Sequence, residues 1–183
     1  MENIMKTFKR LERKQIYKGA IIDVYRDQVE TPAKAVVEWD FIGYRGAAAV
    51  VPVTVDGKIV MVRQWRNALD RYTLEIPAGG LLNVQEEAIE CAKRELEEET
   101  GYKCNRLEYL MSIRTEVAFC NEKIDVYVAR DLEPSVQNLD PDEFITVEVC
   151  DLEELKEMIY TGKLQDSKTI AALLGYENKY LKG

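Results

Sequence analysis

Along the first forty-odd residues apolar and polar positions alternate with a period of two, most clearly in "AIIDVYRDQVE" (20–30) and "AVVEWDFIGY" (35–44). That period sends successive side chains to opposite faces of a strand, and the intervening "TPAK" predicts an antiparallel pair. A denser apolar pair follows, "AAAVVPVTV" (47–55) and "KIVMVRQWR" (58–66), joined at Asp56-Gly57, a dipeptide suited to a tight hairpin. "YTLEIPAGG" (72–80) predicts a short strand running into a loop with proline and glycine. Then the period becomes helical, with Ile89, Ala92 and Leu96 at i, i+3 and i+7. Asn83 with Glu86 three residues on predicts a capping box, and Gly101 the residue that closes the last turn. Strand-like runs return at "RLEYLMSIRT", "KIDVYVARDL" and "FITVEVC". "DLEELKEMIYTGKL" and "DSKTIAALLGYENKYL" predict two closing helices, each opened by an aspartate cap. Strands, a helix, strands, then helices: this order predicts an α+β fold with a mixed sheet between helices, not a βαβ repeat.

Length and charge narrow the picture. At 183 residues the chain predicts one domain with a small appendage. A formal net charge of −8 argues against unspecific nucleic-acid binding, which needs lysine and arginine against phosphate. The opening "MENIMKTFKRLERKQ" has no apolar leader core, and the longest apolar run, Ala47 to Val53, is too short to span a bilayer. Cys91, Cys104, Cys120 and Cys150 are widely spaced, which predicts reduced cytoplasmic thiols rather than a disulfide framework. The chain has no histidine, so histidine bases, Ser-His-Asp triads and histidine zinc sites are excluded. Acid–base chemistry is left to carboxylates, lysine, tyrosine, cysteine or metal-activated water.

The segment "GLLNVQEEAIECAKRELEEETGY" (80–102) carries the chemistry. Seven glutamates lie between Glu86 and Thr100, against only Lys93 and Arg94. Glu95, Glu98 and Glu99 stand at i, i+3 and i+4, so their carboxylates share one helical face within a turn. They also sit toward the helix C-terminus, where the macrodipole disfavours negative charge. A solvated acidic face is one reading. Three converging oxygen ligands for a hard cation such as Mg²⁺ or Mn²⁺ is the other.

This segment resembles the Nudix box, G-x5-E-x7-R-E-U-x-E-E-x-G-U, with U a bulky apolar residue. Gly80, Glu86, Arg94, Glu95, Leu96, Glu98, Glu99, Gly101 and Tyr102 fill every defined position, tyrosine being a mild variant at the last. The resemblance implies an α/β/α sandwich around a central mixed sheet, and cleavage of a diphosphate linkage with Mg²⁺ or Mn²⁺. It also implies that Glu95 and Glu99 are the principal metal ligands and Glu98 a further one. Arg94 would orient these carboxylates and Glu86 would support the loop. The carbonyl of Gly79 or Ala78 would complete the ligand shell.

"VRQWR" (62–66), "LEIPAG" (74–79) and "EWDFIGYRGAAAVVPV" (38–53) further resemble the ADP-ribose pyrophosphatase branch. That branch implies an N-terminal antiparallel strand subdomain (1–44) used in dimerisation, followed by the hydrolase domain (45–183). Arg63 and Arg66 become candidates for contacting the diphosphate or terminal ribose, or else an exposed edge-strand pair. Glu75 becomes a candidate for a substrate hydroxyl or for organising those arginines. Gly80 is expected to line the substrate site. Trp39 is a candidate adenine-stacking residue, equally a core or interface tryptophan. Glu122, in "EVAFCNE" (116–122), is the candidate catalytic base or additional metal ligand, beside Glu99, Glu98 and Arg94. The branch usually carries proline and glycine in that loop, where this chain has Val117 and Ala118, which brings other nucleotide sugars (ADP-glucose, UDP-glucose, GDP-mannose) closer. A non-catalytic ADP-ribose sensor is the remaining alternative, disfavoured by an intact box.

Overall fold

The computed structural model describes residues 7–182, so the first six residues of the stretch read as lacking a leader lie outside the described residues. The chain divides into two compact units. One comprises the residues up to Tyr44 with Glu116–Glu122, the other Arg45–Thr115 with the residues from Lys123 onward.

In the first unit β1 (Lys9–Lys18), β2 (Asp23–Glu30) and β3 (Val36–Gly43) form an antiparallel sheet in the order β1-β2-β3. "TPAK" makes the β2–β3 turn: Thr31 N–H donates to Ala35 C=O at 2.8 Å, and Lys34 takes a left-handed φ of 68°. The sheet is pinned by Asp27, whose carboxylate accepts two bonds from Arg13 at 2.7 and 2.6 Å. That guanidinium lies 3.6 Å from the centre of the Phe41 ring and holds the Asp27 carboxyl below its usual range. From sequence alone the loop Glu116–Glu122 falls in the larger domain. In the structure it groups with β3: Ile42 N–H donates to Phe119 C=O at 2.7 Å, and Tyr44 N–H to Asn121 Oδ1 at 2.7 Å.

The second unit holds two sheets. β4 (Ala47–Pro52), β7 (Ala78–Gly80), β8 (Tyr102–Ile113) and β9 (Ile124–Pro134) form a mixed sheet ordered β7-β4-β9-β8, with β4 and β9 parallel. β5 (Ile59–Arg66), β6 (Arg71–Glu75) and β10 (Thr146–Cys150) form an antiparallel sheet ordered β10-β5-β6. Both β4 and the first half of β5 are buried throughout, so each needs partners on both edges and cover on both faces. That resolves against the hairpin expected at Asp56-Gly57. The turn forms, with Gly57 at φ 82°, but the strands share only the bridge Val53–Ile59 and then enter different sheets.

Helix α1 (Ala88–Thr100) covers one face of the mixed sheet: Cys91, Ala92 and Leu96 pack against Ala48, Val50, Tyr127 and Ala129. Strand alternation sends Ala49, Val51, Val126 and Val128 to the other face, where α3 (Ser167–Tyr180) packs and is joined by α2 (Leu152–Tyr160). The result is the α/β/α sandwich of the sequence reading. Asp166 caps α3, accepting from Thr169 N–H, whereas Asp151 stands at the start of α2 without a capping bond. The capping box is not observed either. Helix α1 starts after Glu87, Asn83 accepts from Gln85 N–H within the preceding loop, and Glu86 accepts from Leu82 N–H. "AGG", expected as loop, is the short strand β7 on the edge of β4. Among the described residues no helix is long and apolar enough to cross a membrane, and the four cysteines are unpaired thiols.

Candidate active site

Helix α1 and the segment joining β6 to β7 build the centre of the site. Glu95 and Glu99 are buried, although both lie on the polar side of the helix sequence. Glu99 Oε2 accepts from Ala78 N–H at 3.0 Å. Glu95 lies so close to Gly79 that a Cβ there would meet its carboxylate at 2.1 Å. Glycine at this position allows the close approach of the Glu95 carboxylate to the β7 backbone and is not there for a turn. Beneath the loop, the Cys91 thiol donates to the carbonyls of Gly79 and Gly80 at 3.5 Å, and burial pushes that thiol up to about 12. Cys91 is packing here, not a nucleophile.

Arg94 organises the acidic face. Its guanidinium donates to Glu95 at 2.5 Å, Glu98 at 2.9 Å, Glu86 at 3.2 Å and the Gly80 carbonyl at 3.1 Å. Glu86 in turn accepts from Leu82 N–H at 2.5 Å, which braces the loop. One cation serves three carboxylates, and Glu99 is left outside its reach. Burial, then the charges of Glu95 and Glu143, push Glu99 up to about 8 even against its bond from Ala78. Glu95 is raised for the same first reason, despite Arg94.

The sequence reading missed Glu143. Its charge acts on both Glu95 and Glu99, and it stands in the loop between β9 and β10 that closes the end of α1. Within that loop Gln137 donates to the Glu99 carbonyl at 2.7 Å and Asn138 N–H to the Glu98 carbonyl at 3.0 Å. No spacing rule connects "DPDEF" to the box; the only signal was an acidic loop.

Among the described residues no three carboxylates are gathered as a ready-made ligand set, because Arg94 occupies the space among Glu86, Glu95 and Glu98. The donors nevertheless fit a hard divalent cation. They are all oxygens, burial raises both the Glu95 and the Glu99 carboxyl, Glu99 has no cationic hydrogen-bond partner among the described residues, and Gly79 leaves the cradle free of a side chain.

The arginines part company. Arg66 is clamped bidentately by Glu75 at 2.7 and 2.6 Å, and Glu75 also accepts from Thr73 at 2.6 Å and from Lys168. Burial raises the Glu75 carboxyl, but Arg66 and Lys168 outweigh it and hold it at about 2. Arg66 lies within electrostatic reach of Glu99. Arg63, three residues earlier, points from the opposite face of β5 and pairs with Glu148 on β10. Lys168 was also missed by the sequence reading, which took "DSKT" only as a helix start.

Two sequence-selected residues belong to the first unit. Trp39 is half exposed, its ring 5.5 Å from that of Phe8, and it lines a groove of about 660 Å³ with Ile16, Ile42, Ala118 and Phe119. Glu122 closes the 116–122 loop, its N–H donating to Cys120 Sγ at 3.3 Å.

A NUDIX domain model matches residues 43–173, and the chain belongs to that family. It is 37% identical over 167 residues to the ADP-ribose pyrophosphatase of Bacillus subtilis (strain 168), covering 90% of each chain. It is also 37% identical over 167 residues to the methanol dehydrogenase activator of Bacillus methanolicus, again covering 90% of each. A crystal structure of an ADP compounds hydrolase superposes with a TM-score of 0.85 at 22% identity, covering 97% of this chain and 95% of the other.

Proposed function

We propose that the protein hydrolyses the diphosphate bond of ADP-ribose, or of a related nucleoside diphosphate sugar, giving AMP and ribose 5-phosphate from the former. The observation that carries this reading is the pairing of Glu95 and Glu99, buried against Ala78 and Gly79 with one guanidinium for the whole acidic face. Such a site holds charge for an external cation. The 37% identity to an ADP-ribose pyrophosphatase supports the substrate class.

Glu95, Glu99 and Glu98, with a carbonyl from Gly79 or Ala78, would hold Mg²⁺, or Mn²⁺ in its place. When bound, the cation neutralises the diphosphate and makes water a competent nucleophile near neutral pH. Arg94 keeps Glu95 and Glu98 together before a cation arrives. Arg66 has Nε and Nη2 engaged by Glu75 and no hydrogen bond from Nη1 among the described residues, so Nη1 is available to a phosphate oxygen. Gly80 keeps the loop beside the substrate free of a side chain. Water adds to one phosphorus, the bridging P–O bond breaks, and the water's proton passes to a carboxylate. Glu122 is the sequence choice for that base, and Glu143, whose charge acts on Glu95 and Glu99, is a second candidate. Arg63, on the opposite face of β5 and engaged with Glu148, is the second candidate for contacting the diphosphate or the terminal ribose.

Trp39 is the candidate for stacking the adenine; its ring lines a groove of the first unit together with Arg26, Glu38 and Asp40. The first unit also bares Leu11, Ile16, Tyr17 and Val36, which supports its use as a homodimer interface. Unpaired thiols support a cytoplasmic setting, and the net charge of −8 argues against unspecific nucleic-acid binding.

The test is hydrolysis of a panel of ADP-ribose, ADP-glucose, UDP-glucose, GDP-mannose and NADH with Mg²⁺, read as phosphatase-releasable phosphate. ADP-ribose is expected to be turned over fastest. Binding of ADP-ribose with no turnover of any member would make the protein a sensor and overturn the reading.

A further inference from the structure

A buried lysine is costly unless its charge is used. Lys168 is 8% exposed and stands at the second position of α3, where the helix macrodipole disfavours a cation. Its ammonium donates to Glu75 and, at 2.9 Å, to Asp166. Asp166 is itself fixed, accepting from Thr169 N–H at 3.0 Å and Thr169 Oγ1 at 2.6 Å. The same threonine hydroxyl accepts from Ile76 N–H at 3.0 Å.

The first turn of α3 is therefore bolted to two consecutive residues, Glu75 through Lys168 and Ile76 through Thr169. Those residues begin the segment whose other end, Ala78, donates to Glu99. One short stretch of chain, 75–78, thus carries the Arg66 clamp at its start and the Glu99 contact at its end.

We propose that Lys168 is a positioning residue for the diphosphate clamp: it fixes Glu75, and through Glu75 the guanidinium of Arg66, beside the loop that carries Ala78 and Gly79. The inference rests on the diphosphate-hydrolase reading above. A carboxylate with only Arg66 and Thr73 as partners could rotate with the guanidinium, whereas a third, buried donor from another element locks both. Electrostatics agree with the geometry. Arg66 senses the charge of Glu99, and Glu99 that of Lys168, so clamp and acidic face are neighbours. Arg66 and Lys168 are balanced by Glu75 and Asp166, so the cluster adds no net charge of its own. Its contribution is orientation, with Arg66 Nη1 left to the substrate.

The experiment is a double-mutant cycle on the intact chain, with ADP-ribose as probe. Wild type, Lys168→Met, Arg66→Met and the double variant are compared for KM and kcat with Mg²⁺, and for the dissociation constant of ADP-ribose in EDTA. Lys168→Met is expected to raise KM and the metal-free dissociation constant about 10- to 100-fold, with kcat within about threefold of wild type. In the Arg66→Met background the same substitution is expected to change either constant less than about twofold, because nothing is left to position. An unchanged KM in Lys168→Met, or an equal further loss in the Arg66→Met background, would overturn the proposal while leaving the hydrolase reading intact. A wild-type protein that neither binds nor cleaves ADP-ribose or the other nucleotide sugars overturns the hydrolase reading, and this proposal with it. Should Lys168→Met fail to fold, Lys168→Gln, which keeps a donor for Glu75, is put through the same cycle. Failure of both to fold would assign Lys168 to stability alone and overturn the positioning role.

Discussion

Glu75 and Glu99 are both buried glutamates, 2% and 3% exposed, at opposite ends of the same contact with the segment 75–78. Their carboxyls are driven apart. Glu75 is held at about 2 and Glu99 is pushed up to about 8. Burial disfavours the charge of each, so the difference comes from partners. Glu75 is met by Arg66, Lys168 and Thr73, all within the chain. Glu99 is met by one backbone N–H and by the like charges of Glu95 and Glu143, with Lys168 acting only at a distance. One end of the site is finished by the protein itself; the other, on the proposed reading, is completed by a cation from outside.

The comparison breaks most sharply at Glu75. Glu75→Gln leaves Lys168 buried, and Arg66 half-buried, around a neutral amide, and is expected to cost about 3 kcal/mol, mostly through Lys168. Urea unfolding at pH 7 measures it through the midpoint. The sign of the pH dependence follows from the depressed carboxyl. Its stabilisation is fully present above the ordinary glutamate value of 4.5 and is lost as pH falls toward about 2. Wild type should therefore lose stability steeply between about pH 5 and pH 2, and Glu75→Gln should be flatter over that window. Equal slopes for the two proteins would mean that the cations do not hold Glu75 ionised.

Glu99→Gln is expected to act in two opposite directions. The raised carboxyl means that the unfolded chain releases its proton first, so metal-free wild type loses stability as pH rises from 4.5 to about 8. Glutamine keeps an acceptor for Ala78 N–H and removes that loss. Its melting temperature in EDTA at pH 7.5 should exceed that of wild type by several degrees. Turnover of ADP-ribose should meanwhile fall more than about 10²-fold if Glu99 is the cation ligand proposed above. A variant that is both active and no more stable would remove Glu99 from the site.

How much of this was legible in the sequence depended on whether the contact was local. Arg94, Glu95, Glu98 and Glu99 share one helix, so their spacing alone put them on one face. The N-terminal strand pair and its turn were equally local. The hairpin at Asp56-Gly57 misled because turn chemistry fixes a reversal, not the sheet each strand then joins. Asn83 misled because an asparagine that satisfies its own loop imitates a helix cap. Glu143 and Lys168 reach the site from 44 and 69 residues beyond Glu99 along the chain, and no spacing rule spans such distances. Lys168 did leave a trace. A lysine in the first turn of a helix opposes the macrodipole, the same anomaly that drew attention to the glutamates at the other end of α1.

The smallest change that sharpens the comparison is one methyl group. In Gly79→Ala the new Cβ would meet the Glu95 carboxylate at 2.1 Å, against the mobile end of a side chain rather than backbone. Glu95 can swing away at little cost to folding, so the melting temperature in EDTA should move by no more than about 2 °C. The displaced carboxylate is expected to weaken divalent-cation affinity about tenfold, measurable by Mn²⁺ titration, with turnover falling by a similar factor. The three atoms nearest to that methyl group all belong to Glu95, so the metal-free affinity for ADP-ribose should stay within about twofold of wild type. A loss of metal-free binding equal to the loss of cation affinity would show that the two ends are one rigid unit, and the division between a finished half and a half completed by a cation would fail.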